Sequence, residues 1–194
     1  MNTRASKYVT YGQWNLIVFV LLCLSIHPGF VLKRDEGGFS NYGVHIKTVV
    51  PYTLTYLGCI IFTLLAVKYL PASGHNARVL AIVLRSYALL CFLLLVSTYG
   101  YTLNALLKDT HGAIGLIAML FDPAASLWLF RHMRGSGWNR ALAGVEVVGV
   151  VLGVIDIVNV AHVLFAAQAV IAIGFGFLLV RGTHELESLE VQSS

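Results

Sequence analysis

Six stretches of bilayer-crossing length occupy most of this chain: Gln13 to Leu32, Val49 to Leu70, Ala77 to Tyr99, Gly112 to Arg131, Ala141 to Ile157 and Val160 to Val180. A helix rises about 1.5 Å per residue, so about 20 apolar residues match a hydrocarbon layer ~30 Å thick. Inside that layer backbone polar groups must be satisfied internally, which selects helices for runs of this length. The expected fold is therefore an all-α, polytopic transmembrane bundle of six helices. Composition agrees, since charged residues make up only 11% of the 194, against about 25% in soluble domains. The formal charge of +4, spread along the chain, excludes a nucleic-acid-binding surface. Cys23, Cys59 and Cys91 all fall inside apolar runs, so they read as small buried hydrophobes and not as a loop disulfide framework.

Local signals punctuate the runs. Arg4 and Lys7 precede the first one as in a signal peptide, but the run is too long and has no small-x-small cleavage site, so it reads as a retained helix. His27-Pro28-Gly29 bends or ends it, Pro51 sits in the tolerated first turn of the second, and Pro71-Ala72-Ser73-Gly74 is a turn. Few residues around Asp156 to Asn159 join the last two runs, which predicts a tight hairpin. The division is a membrane domain over 1–182 and a polar tail over 183–194 that frays. Eight basic residues (Arg4, Lys7, Lys68, Arg78, Arg131, Arg134, Arg140 and Arg181) fall on one side, and four (Lys33, Arg34, Lys47 and Lys108) on the other. The excess places both termini in the cytoplasm of a plasma membrane, bacterial in type.

Arg85, Asp122 and Glu146 each lie about 9–14 Å inward from a cytoplasmic helix end. An ionisable group facing lipid there costs at least ~2.5–3.5 kcal/mol, so the three are expected to point inward and pair. They would serve as a polar clasp or as the relay of a small proton-coupled transporter. Pro123, directly after Asp122, adds a possible kink. On helix five Gly149 and Gly153 form a GxxxG, while helix six carries Ala166, Ala167, Ala169, Gly174 and Gly176, so these two should pack closely in cis.

The longest polar interruption, Leu32 to Thr48, is the outer first loop. Gly37-Gly38 permits positive φ, and Ser40 or Asn41 can cap a short helix. The loop reads either as an ordered turn or as a lid over a lipid-headgroup site. In the second case Lys33, Arg34 and Lys47 attract phosphate, with Asp156 or His162 beneath. His27, His111, His162 and Asp156 in the outer layer admit a metal-dependent hydrolase as a further alternative, yet their spacing forms no HxxxH or HExxH pair. No Walker loop, GxSxG or CxxC is present.

Glu36-Gly37-Gly38-Phe39-Ser40-Asn41-Tyr42-Gly43, followed by Val49-Val50-Pro51-Tyr52-Thr53, resembles bacterial relatives of the DRAM/Frag-type membrane family. Those proteins have six helices, both termini inside and a Ser-x-x-Gly element in the outer first loop, matched here by Ser40-Asn41-Tyr42-Gly43. The resemblance implies association with lipid organisation or signalling and brings no catalytic residues. The expected protein is a non-enzymatic, lipid-interacting or regulatory membrane protein without cofactor. Its expected partners are membrane lipids, with a membrane-protein partner or a homo-oligomer also open.

Overall fold

The structure, a computed structural model, describes residues 4–26, 28, 38–71, 74–100, 102–133, 136–158 and 160–193. The described residues form seven helices and no strand: α1 (Arg4–Ile26), α2 (Ser40–Val44), α3 (Val49–Lys68), α4 (His75–Gly100), α5 (Ala105–His132), α6 (Gly137–Ile157) and α7 (Leu164–Ser193). Five of them are long and apolar enough to cross a membrane: α1, α3, α4, α5 and α7 through Leu186. Of the other two, α2 has five residues and α6, with 21, carries Arg140, Glu146 and Asp156. Exposed apolar side chains line the outside of the bundle, including Leu54, Ile61, Leu89, Val96, Ile117, Leu120, Val147 and Val151. So continuous an apolar surface is incompatible with water and suits lipid.

Helix ends follow capping chemistry more closely than hydropathy. The Asn104 side chain accepts from Leu107 N–H at 2.9 Å and starts α5 seven residues before the expected Gly112. Ser136 does the same for α6, accepting from Asn139 N–H at 3.1 Å. Each satisfies one of the orphan donors of a helix start. Asp156 Oδ1 accepts from Val163 N–H at 2.8 Å and Leu164 N–H at 3.0 Å, so α7 begins at Leu164 and not at Val160. The tail expected to fray instead continues α7 to Ser193, with Thr183 and Leu186 buried.

Two core clusters stack along the bundle. One joins Ala5 and Val9 of α1, Leu80 and Leu84 of α4, Leu129 of α5 and Leu178 and Leu186 of α7. The other joins Phe19 and Cys23 of α1, Tyr52 of α3, Leu95 of α4 and Phe165 of α7 with Phe39 and Tyr42 of the α2 segment. The start of α1 thus lies beside the end of α7, and successive long helices alternate in direction.

Small residues set the helix spacing. A Cβ on Gly149 would lie 2.9 Å from the Ile171 backbone nitrogen, so α6 and α7 touch almost backbone to backbone, as their glycine pattern predicts. Gly153 instead faces Met119 of α5. On the other side of α7, Gly176 leaves just enough room for Gln13 of α1, whose Nε2 donates to Ile173 O at 3.3 Å. Asn15 Nδ2 similarly crosses to Thr55 O at 2.7 Å above Gly58. At the end that holds the chain termini, Arg181 donates from Nε to Asn139 Oδ1 at 2.6 Å and from Nη2 to Glu185 at 3.0 Å.

Gly149→Val should force α6 from α7 and destabilise the protein by ~1–3 kcal/mol, as overpacking does. Gly144→Ala, where a Cβ meets nothing within 4 Å, should be neutral or stabilising by up to ~1 kcal/mol from helix propensity. Thermal melting in detergent checks both.

Candidate functional site

The Ser-x-x-Gly segment closes the outer end of a cavity, and each of its described side chains has a place. Gly38 has φ +88°, the left-handed region that glycine tolerates, and a Cβ there would sit 2.6 Å from Gln168 Oε1. That oxygen accepts from Phe39 N–H at 2.7 Å and ties the start of α2 to the second turn of α7. The Phe39 ring packs edge-on against Phe19 at 5.6 Å and Phe165 at 5.2 Å. Tyr42 is fully buried between the same two rings. Burial pushes its hydroxyl up to about 12, so it stays neutral at physiological pH. Asn41 is also buried. Gly43 lies so close to α3 and α4 that a Cβ would come within 2.7 Å of the Tyr52 ring and 2.5 Å of Thr98 Cγ2. Behind it, Tyr52 and Thr98 share a hydrogen bond of 2.7 Å between α3 and α4. Thr48 Oγ1 donates back to Tyr42 O at 2.8 Å and closes the turn into α3.

Ser40 makes a side-chain bond from this segment to α5. Its Oγ is 2.6 Å from His111 Nε2, and the other ring nitrogen, Nδ1, is 2.8 Å from Ser97 Oγ on α4. Ser97 donates its only hydroxyl hydrogen to Leu94 O at 3.2 Å. In the tautomer with the ring proton on Nδ1, His111 donates to Ser97 Oγ and Nε2 accepts from Ser40 O–H. The consistent arrangement is a chain running Ser40, His111, Ser97, Leu94.

Beneath α2 lies an open-mouthed cavity. Its outer end carries Ser40, His111 and Gln168, its middle Tyr56, Tyr87 and Cys91, and its inner end Asp122. His111, Gly115, Ala118, Met119 and Asp122 recur at helical spacing, so one face of α5 forms a wall about 16 Å long. Gly115 keeps that wall open, since a Cβ on it would meet nothing within 4 Å.

The expected inner cluster forms only in part. Glu146 is buried on α6, and its Oε1 accepts from Ser126 of α5 at 3.2 Å; Oε2 has no hydrogen-bond partner among the described residues. Ser126 stands one turn beyond Asp122, which shares its helix face. Arg85 does not join them. It is exposed and makes no ion pair among the described residues. Two positions separate it from cavity-lining Tyr87, about 200° around α4, so its depth is shared with the carboxyls but its direction is opposite. The long side chain can run along the apolar surface toward water.

The outer candidates divide as well. Lys33, Arg34 and His27 lie outside the described residues, and Lys47 is exposed in the connection from α2 to α3. Asp156 caps α7 and is not among the residues that line the cavity. His162 is half-buried in the α6–α7 connection. Phe165, Gln168 and His111 occupy the place expected for Asp156 and His162. Among the described residues, no three His, Cys, Asp or Glu side chains converge on a point that could hold a metal ion. Gln168 and Ser97 were not among the expected site residues. A lone amide within the apolar run of α7 was the available signal, because intramembrane polar groups need a partner.

Comparison with protein-family models, with curated proteins and with solved structures finds no match to this chain.

Gly38→Ala combines a strained backbone, costing ~1–3 kcal/mol, with a collision against Gln168. Hydrogen–deuterium exchange over residues 38–48 should accelerate while the long helices keep their protection. Unchanged exchange there would contradict the anchoring described.

Proposed function

We propose that this chain is an integral membrane protein that holds a single-chain amphiphile, or one acyl chain of a lipid, in the cavity beneath α2. The observation that carries this reading is the cavity itself. Its walls are mostly apolar and carry a few convergent polar groups, the lining typical of small-molecule sites. Ser40, His111 and Gln168 would meet the polar head, the α4 and α5 walls would take the tail, and Lys47 would attract an anionic headgroup. In this reading α6 crosses the membrane as a sixth span. Val147, Val148, Val151 and Val154 are exposed there and would face lipid, while Glu146 and Gly149 face the neighbouring helices. The basic residues near the ends of α1, α3, α4 and α7 favour cytoplasmic termini in a bacterial cytoplasmic membrane. The likeness of the Ser-x-x-Gly loop to the DRAM/Frag-type family points the same way.

A proton-coupled carrier is the second reading, favoured by Asp122 on the cavity wall and Glu146 behind Ser126. It predicts a pH-driven flux in proteoliposomes that Asp122→Asn abolishes. If Asp122 is only structural, Asp122→Asn will change melting and no flux will be seen.

Native mass spectrometry of protein released from membranes tests the first reading. Wild type should retain a lipid. Gly115→Trp should fill the open space beside α5 and reduce retention at least ~10-fold, equivalent to about 1.4 kcal/mol, with melting preserved. No specifically retained lipid, or equal retention in the two proteins, would remove the support for this role.

A further inference from the structure

We propose that Ser40 is a nucleophile for long-chain acyl esters, with His111 as its general base and Ser97 as the residue that positions the imidazole. The proposal rests on the cavity being a lipid site and adds a reaction to it. Three independent elements build the arrangement: the loop segment before α3, the outer turn of α4 and the first turns of α5. Ser40 Oγ is 2.6 Å from Nε2, within the reach a base needs to take a hydroxyl proton. The 2.8 Å contact from Nδ1 to Ser97 orients the ring, and with the proton on Nδ1 it leaves Nε2 free to take the Ser40 proton. Ser40 and His111 both line the cavity, so an acyl chain lying along α5 would bring its ester to the outer end.

The rest of the wall suits this chemistry. Gln168 lines the cavity and accepts from Phe39 N–H with Oε1, so its Nε2 is the donor the proposal assigns to a carbonyl oxygen as it gains charge. The Phe39 anchor also keeps Ser40 from swinging away. Ser97 is a neutral hydroxyl where many such sites have a carboxylate. It orients the imidazole without compensating the imidazolium, so the reaction should be slow.

The steps balance without any further reactant than water. Ser40 Oγ attacks the ester carbonyl carbon while its proton passes to His111 Nε2. The tetrahedral intermediate expels the alkoxide, which takes that proton and leaves as the alcohol, with the acyl group on Ser40. A water from the loop side then gives a proton to Nε2 and attacks the acyl carbon. The fatty acid departs as Ser40 oxygen recovers the proton.

The test uses the full chain in nanodiscs and a fluorophosphonate bearing a long alkyl chain, which transfers its phosphonyl group to an activated serine with loss of fluoride. Peptide mass spectrometry should find the adduct on Ser40, and Ser40→Ala should remove it. His111→Gln should slow labelling at least ~100-fold, the usual contribution of a general base. Ser97→Ala should slow it and Ser97→Thr restore it, a rescue that a purely structural role would not produce. Because a variant could fold poorly, wild type supplies its own check: its labelling rate should rise with the loss of a single imidazole proton. No adduct on Ser40, or equal rates in wild type and folded His111→Gln, would overturn the proposal and leave Ser40 and His111 as a tether for α2. Equal labelling by a short-chain probe would overturn the long-chain substrate class. Lipid retained by wild type and lost in Gly115→Trp, with Ser40 unlabelled, would overturn the chemistry while preserving the binding site; loss of both would overturn both.

Discussion

The hydrogen bond from Phe39 N–H to Gln168 Oε1 seats α2 on the bundle, and the shape of the cavity depends on it. It joins a five-residue helix, too short to persist alone, to the second turn of α7. Gly38 makes the bond possible by adopting positive φ and by leaving the amide the space a side chain would take. Once α2 is seated there, Phe39 and Tyr42 fill the aromatic nest of Phe19 and Phe165, and Ser40 reaches His111. Without it the cavity would have no cover at its outer end.

Polar groups within the bundle serve two different purposes. Gln13, Asn15 and the Tyr52–Thr98 pair cross directly between neighbouring helices and are consumed by the backbone or hydroxyl groups they meet. Such contacts hold membrane helices together where no hydrophobic force acts between them. Ser40, His111, Gln168 and Asp122 instead border empty space. This contrast, more than the presence of polar atoms, distinguishes a site from a clasp. Glu146 lies between the two classes, bound to Ser126 through one oxygen only.

The centres of the long helices were legible because twenty apolar residues have few other stable arrangements. Their ends were not, because Asn104, Ser136 and Asp156 act through single capping bonds that hydropathy ignores. The loop was legible in part: Gly38 has the positive φ its identity permits and a short helix forms at Ser40, but neither Ser40 nor Asn41 caps it, because Phe39 holds the cap position without a side-chain bond. Depth could be counted along each run, which placed Arg85, Asp122 and Glu146 in one layer. Direction around the helix could not, and it separates Arg85 from the two carboxyls. Ser40 and His111 stood among the outer candidates, but their pairing across 71 positions left no trace in spacing. Gln168 was passed over because one amide scarcely changes the hydropathy of an apolar run.

The central claim is that α2 covers a cavity between α4, α5 and α7 that takes an acyl chain. An experimental density map of the protein in nanodiscs tests it most directly. The account predicts elongated density running from Ser40 and His111 toward Asp122, with Phe39 seated on Gln168. A map in which α5 has closed against α3 and α4, leaving no space beside Gly115, would contradict it.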